Sequence, residues 1–174
     1  MLTQGGVVAY PTEAVWGLGC DPDNPHAVTK VLSLKDREVG KGLILIAANI
    51  DMFKPYLTTT TSEQRQLMAS TWPGPVTWLV PNNDLAPPWI TGGQSSLAIR
   101  VTAHPVAAAL SHLFGGPIVS TSANPQGFPA AITLTKIKAY FGNNIDAFTP
   151  GNIGRASKPS EIRDLVSGRV IRAG

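Results

Sequence analysis

The stretch SLKDREVGKGLILI, residues 33–46, sets a group of charges directly against an uninterrupted apolar run. Lys35, Arg37 and Lys41 stand within seven positions of one another, with Lys30 just ahead of them. Leu43–Ala47 shows no polar alternation, so both faces of the strand it forms are expected to be covered, as in a sheet packed between helices. The residues before it read as a helix. Asn24-Pro25 supplies a cap followed by proline at the first helical position, and Ala27, Val28, Val31 and Leu32 fall on one face. That helix is expected to stop near Lys35, with Gly40 and Gly42 bracketing the turn into the strand. Helix, charged turn and buried strand in this order point to an α/β domain. The charges themselves keep two readings: a solvated surface turn, or a phosphate site at a strand mouth.

The same alternation continues on both sides. Val7–Tyr10 reads as a first strand ending at Pro11, and DPDNP (21–25) as a turn. TTTTSEQRQLMAS (58–70) carries a capping-box pair, Thr61 and Gln64, at the head of a helix that WPGP (72–75) ends. Val76–Val80 and Leu97–Val101 read as strands, the latter with Arg100 as its one charge. HPVAAALSHLF (104–114) reads as a helix stopped by Gly115-Gly116, and Ile118–Thr121 as a strand running into SANPQG. Thr133 caps a short helix to Phe141, and Ile162–Arg172 looks like two strands around Ser167-Gly168. This pattern predicts one α/β domain over residues 1–174 (α+β in some schemes) around a mixed sheet. Ligands on such sheets sit in a crevice outside strand ends. PTEAVWGLG (11–19), KDREVGKG (35–42), WPGPVT (72–77) and STSAN (120–124) read as loops at such ends.

At 174 residues the chain is long enough to bury a core. Charged residues make up only 14%, against about 25% in an average soluble domain, so each charge is worth locating. A net charge of +3 and a pI near 9.2 suit an anionic partner such as a nucleotide or an RNA without demanding one. No apolar run approaches the roughly 18 residues of a membrane span. The N-terminus has neither a charged leader nor an apolar stretch long enough for a signal peptide, so a cytoplasmic location is expected. One cysteine, Cys20, excludes a disulfide framework and a thiol cluster for zinc.

Several chemistries are also excluded. Gly17-Leu18-Gly19 lacks the third glycine of a dinucleotide loop, where Pro22 stands instead. Gly40-Lys41-Gly42 lacks the first glycine of a P-loop and the Ser/Thr after its lysine. There is no GxSxG elbow, and His26, His104 and His112 are dispersed, without His–His or His–carboxylate metal spacing. Glu13 is the one carboxylate inside an unusual loop; fixing its own turn and acting in catalysis both remain open for it. The chain offers cations, hydroxyls and glycine-rich backbone, a set that binds phosphates and stabilises leaving groups.

AYPTEAVWGLGCD (9–21), LKDREVGKGLIL (34–45), WPGPVTW (72–78), SLAIRV (96–101), VSTSAN (119–124) and PSEIRDL (159–165) follow one another along nearly the whole chain. Together they resemble the YrdC/TsaC family of threonylcarbamoyl-AMP synthases, in its short single-domain bacterial form. The resemblance implies a YrdC/RibB-like fold, a twisted, mainly parallel mixed sheet flanked by helices with a deep basic cleft. It implies formation of threonylcarbamoyl-adenylate and pyrophosphate from L-threonine, bicarbonate and ATP, with Mg²⁺ accompanying ATP and no dedicated protein metal site. Downstream proteins would pass the threonylcarbamoyl group to the adenosine next to the anticodon of tRNA. Some members were first described as RNA-binding ribosome-maturation factors. The rival reading is therefore an RNA-binding module without turnover, acting on tRNA or double-stranded RNA.

The family's Lys-x-Arg and Ser-x-Asn signature falls on Lys35, Arg37, Ser122 and Asn124. By resemblance Lys35 and Arg37 contact the ATP phosphates and carry catalysis, while Ser96, Ser122 and Asn124 hold the nucleotide. Thr12, Arg100 and Thr121 match threonine-binding positions, and Thr77, Lys41 and Glu13 are further cleft candidates. Arg100, flanked by Ile99 and Val101, is expected to fork onto the substrate carboxylate; pairing with an internal acid such as Glu13 or Asp164 is its alternative. Two departures from the family pattern stand out. An amphipathic helix usually precedes the first strand, whereas this sequence starts almost at the strand: either the start site is set late or the helix is missing, which would expose an apolar sheet face. Relatives also carry a histidine near the end of the apolar strand, where this sequence has Ile46.

Overall fold

The computed structural model describes residues 1–174. Nine strands form one sheet. In chain order they are β1 (Val8–Pro11), β2 (Trp16–Gly19), β3 (Ile44–Ala47), β4 (Val76–Pro81), β5 (Ser96–Val101), β6 (Ile118–Ser122), β7 (Ala147–Phe148), β8 (Glu161–Asp164) and β9 (Val170–Arg172). Across the sheet they run β7-β1-β2-β6-β3-β5-β4-β8-β9. The helices are α1 (Pro25–Lys35), α2 (Ser62–Ala69), α3 (Pro88–Thr91), α4 (Pro105–Phe114) and α5 (Leu134–Phe141), with 3₁₀ turns at Leu2–Gln4, Val39–Lys41 and Ile50–Leu57. No helix is long and apolar enough to cross a membrane.

The apolar run at 43–47 takes the expected central place, and its lack of alternation has a direct cause. Successive side chains of a strand point to opposite faces. Leu45 and Ala47 enter the larger core with α1, α2 and α5, while Ile46 enters a smaller core with Tyr10, Ala107 and Ile118 beneath α4. Ile46 is therefore sealed from the cleft and makes no substrate contact of the kind a histidine there would make.

The mixed sheet is present, but its balance differs from the expected mainly parallel one. β1–β7, β3–β5 and β4–β8 pair in parallel. The other five pairings, β1–β2, β2–β6, β3–β6, β4–β5 and β8–β9, are antiparallel. Parallel neighbours need a long crossover, whereas the turns at 12–15 and 165–169 are short enough only for hairpins.

Part of PTEAVWGLG is strand β2 and not loop. Its two glycines weaken any local strand signal, yet packing requires one of them. A Cβ on Gly19 would stand 2.5 Å from the Val119 carbonyl oxygen and 2.7 Å from the Tyr10 ring. The apolar sheet face expected to lie open beside β1 is covered by α4 and by Leu2. What remains is an apolar groove between Met1, Leu113 and Phe148, with Leu113 85% exposed.

Candidate active site

The turn at 12–15, the loop after α1 and the ends of β5 and β6 converge on a cavity of about 240 Å³. Thr12, Glu13, Arg37, Arg100, Thr121, Ser122 and Asn124, all candidates from the sequence, line it. Lys35, Thr77, Ser96 and Lys41 do not.

Lys35 and Arg37, two residues apart, have different surroundings. Asn24 caps α1 by accepting from the His26 and Ala27 amides at 3.1 Å, and Lys35 closes the helix. Asp36 then takes a left-handed conformation (φ 51°) that turns the chain out of the helix. Lys35 is buried, and its Nζ donates to the Ser122 carbonyl, to the Asn124 carbonyl at 2.8 Å and to Asn124 Oδ1 at 3.4 Å. Burial, with the Arg37 charge second, pushes the Lys35 ammonium down to about 8. Lys35 thus clamps the STSAN turn from beneath, where the sequence expected a phosphate ligand. Arg37 faces the cavity. Its Nη2 donates to the Gly42 carbonyl at 3.0 Å, and its Nε is buried without an acceptor.

Ser122 Oγ donates to Asn124 Oδ1 at 2.6 Å, and Asn124 Nδ2 donates to the Phe128 carbonyl at 2.8 Å. The turn is therefore held by its own side chains as well as by Lys35. Thr12 Oγ1 donates to the Val15 carbonyl at 2.7 Å within its own turn.

Both alternatives for Arg100 have structural support. Its Nη1 donates to Glu13 Oε2 at 2.7 Å, while its Nε is buried with no acceptor and the side chain lines the cavity. Asp164, the other candidate partner, is bonded to Ser167 instead. Burial would raise the Glu13 carboxyl, but the Arg100 charge and hydrogen bonds from Thr102 and Arg100 outweigh it and hold the group below the usual range.

Four further residues of the wall come from the C-terminal segment: Lys158, Pro159, Ser160 and Arg172. PSEIRDL marked this region in the sequence without showing which side chains turn inward; pairing of β9 with β8 decides that. Arg172 Nη2 donates to the Ser160 carbonyl at 2.6 Å. Thr77, expected in the cleft, is fully buried on β4, and its hydroxyl donates to Ser160 Oγ at 3.0 Å. Ser160, and not Thr77, stands in the cavity wall.

A second cavity of about 280 Å³ adjoins the first and holds Ser96 and Lys41 with Leu79, Ile90 and Ile162. Arg37, Leu43, Ile44 and Arg172 belong to both cavities, so the two guanidinium groups stand at the passage between them. Lys41 is a rim residue, its Nζ donating to Gln126 Oε1 at 3.0 Å. Four cations, Arg37, Arg100, Lys158 and Arg172, thus face one carboxylate, Glu13. No three His, Cys, Asp or Glu side chains come together to ligate a metal. The arrangement can take an anion with two separated negative groups, one beside Arg100 and one beside Arg37 and Arg172.

Comparison with known proteins identifies the family of the chain. The model of the family Sua5_yciO_yrdC, described as telomere recombination, matches residues 1–174. The threonylcarbamoyl-AMP synthase of Cellvibrio japonicus is 58% identical over 172 residues, 99% of this chain and 91% of that protein. The threonylcarbamoyl-AMP synthase of Pseudomonas aeruginosa PAO1 is 52% identical over 99% of this chain and 92% of its own length. Among solved structures, P. abyssi Sua5 complexed with L-threonine superposes with a TM-score of 0.88 at 31% identity. That match covers 94% of this chain and 48% of Sua5, so the chain spans about half of that protein. E. coli YciO, 24% identical, shares the fold with a TM-score of 0.86 over 99% of this chain and 85% of its own.

Proposed function

The chain belongs to the Sua5/YciO/YrdC family, and we infer from that membership and from the cleft that it is a threonylcarbamoyl-AMP synthase, a nucleotidyltransferase built as one YrdC-like domain. The amine of L-threonine and bicarbonate give a carbamate and water. A carbamate oxygen then attacks the α-phosphorus of ATP, the α–β anhydride bond breaks, and pyrophosphate leaves. The observation that carries this reading is the convergence of Arg37, Arg100, Lys158 and Arg172 on one cavity that holds a single carboxylate. Four fixed cations against one carboxylate leave an excess of positive charge that an anionic ligand neutralises. Arg100 suits the threonine carboxylate, with Thr12 and Thr121 beside it for the amine and hydroxyl. Arg37 and Arg172 suit the phosphates, and the second cavity, half apolar with Ser96 at its wall, suits the adenosine. Ser122 and Asn124 are held by Lys35 at the reacting centre between them.

Attack on a phosphate by an anion meets charge repulsion, and the departing pyrophosphate gathers charge; fixed cations reduce both barriers. Mg²⁺ would enter on the phosphates of ATP, because Glu13, the one acid in the cleft, is engaged by Arg100. The product suits delivery, in the cytoplasm, to proteins that transfer the threonylcarbamoyl group to tRNA. RNA binding without turnover is less well supported, because four of the cations line the cleft and leave no broad basic face built from them. The test is incubation with ATP, labelled bicarbonate and L-threonine. Threonine-dependent release of pyrophosphate with formation of labelled adenylate is expected. Salt-sensitive RNA binding with no adenylate would overturn the reading.

A further inference from the structure

We propose that Glu13 is a positioning residue for substrate recognition: it holds one edge of the Arg100 guanidinium so that the opposite edge meets the threonine carboxylate. This rests on the reading of the cleft given above. Glu13 is fixed by more contacts than charge neutralisation requires. Its Oε2 accepts from Arg100 Nη1 at 2.7 Å. Its Oε1 accepts from Thr102 Oγ1 at 2.8 Å and from the Ala103 amide at 2.9 Å. The backbone is pinned as well, the Glu13 carbonyl accepting from the Ala156 amide at 3.0 Å and the Thr12 carbonyl from the Gly154 amide at 2.9 Å.

The consequence lies in the guanidinium, a planar group whose donors keep fixed directions. With Nη1 tied to Glu13, the plane of the guanidinium is restrained while the side chain lines the cavity. Fork-to-fork pairing of guanidinium with carboxylate is strong only when the two planes align. Arg172 adds a reason for a restraint, since burial first and the nearby Arg100 charge second push the Arg172 guanidinium down, and the two like charges line one cavity. Without the Glu13 charge, Arg100 would swing away from Arg172 and lose its aim. Both Glu13 oxygens are occupied by Arg100, Thr102 and Ala103, which leaves the substrate carboxylate to Arg100.

Calorimetric titration of L-threonine and of L-threoninamide into the wild-type protein and into Glu13→Gln tests this without requiring turnover. Glutamine keeps the side-chain shape and an acceptor oxygen while removing the charge. Threonine affinity is expected to fall about tenfold, in keeping with a misaligned charge-assisted pair. Threoninamide, which has no carboxylate, should bind the two proteins alike, and ATP affinity should stay unchanged. Thr102→Val, which frees only one corner of the Glu13 carboxylate, should give a smaller loss confined to threonine. An unchanged or tighter threonine affinity in Glu13→Gln overturns the proposal. So does an equal loss for threonine and threoninamide, which a general disturbance of the turn would give. A wild-type protein that binds no threonine would sink the reading of the cleft, and this inference with it.

Discussion

At the scale of single residues, Lys35 and Arg37 separate two duties that adjacent charges in the sequence make look alike. Arg37 lines the cavity as one of its four cations, so Arg37→Ala should lower pyrophosphate release about a hundredfold, roughly 3 kcal/mol in the barrier, with an unchanged circular dichroism spectrum. Lys35 acts through the STSAN turn, and its burial makes a pH prediction possible. Between about 8 and the ordinary lysine value of 10.5, the unfolded chain holds a proton that folded Lys35 has released. The free energy of unfolding therefore rises with pH across that window, by up to about 1.4 kcal/mol per pH unit. Below about 8 both states are protonated, and the penalty for burying the charge is constant. Denaturant titrations of wild type and Lys35→Met at pH 8 and 10 should show the wild type gaining on the variant. A difference that stays flat or reverses would contradict the burial argument. The sequence could announce both cations, but whether an ammonium points into a cleft or under a turn depends on Asp36 turning left-handed.

At the scale of elements, local signals placed helix ends well. The Asn24 cap of α1 and the reciprocal Thr61–Gln64 capping box of α2 stand where the residue pattern indicated. Asn24→Ala removes the acceptor for two amides and should cost about 1 kcal/mol, read as a lower unfolding midpoint with pyrophosphate release intact at low temperature. Strand β2 was not legible, since Gly17 and Gly19 carry no side chain to reveal a period and are set by contact with neighbouring strands. The segment at 152–160 is an element of another kind, irregular chain held against the turn at 12–15. A Cβ on Gly154 would stand 2.7 Å from the Glu13 carbonyl oxygen. Gly154→Ala should therefore push this segment away from Glu13 and weaken threonine binding more than it lowers the melting temperature. Equal effects on an unrelated surface glycine variant such as Gly116→Ala, where no atom lies within 4 Å of the added Cβ, would count against that.

At the scale of the whole molecule, the last strand adds Arg172 to the cleft wall. Arg172 on β9 reaches Ser160 and the passage between the two cavities, yet β9 itself is exposed and contributes nothing to either core. Deleting residues 166–174 should accordingly lower pyrophosphate release by at least about a hundredfold while leaving most of the thermal stability, as measured by a melting curve. The sequence by itself determined the α/β class, the central buried strand, the helix caps and a set of cations and hydroxyls suited to phosphate chemistry. These follow from periodicity and side-chain chemistry, which act over a few residues. Only the tertiary structure decided the antiparallel majority of the sheet, the withdrawal of Lys35 and Thr77 from the cleft wall, and the entry of Lys158, Ser160 and Arg172 into it. Those outcomes depend on strand register and on which face of each strand is already occupied. Both are set by contacts between residues far apart in the chain, as in the pairing of Glu13 with Arg100.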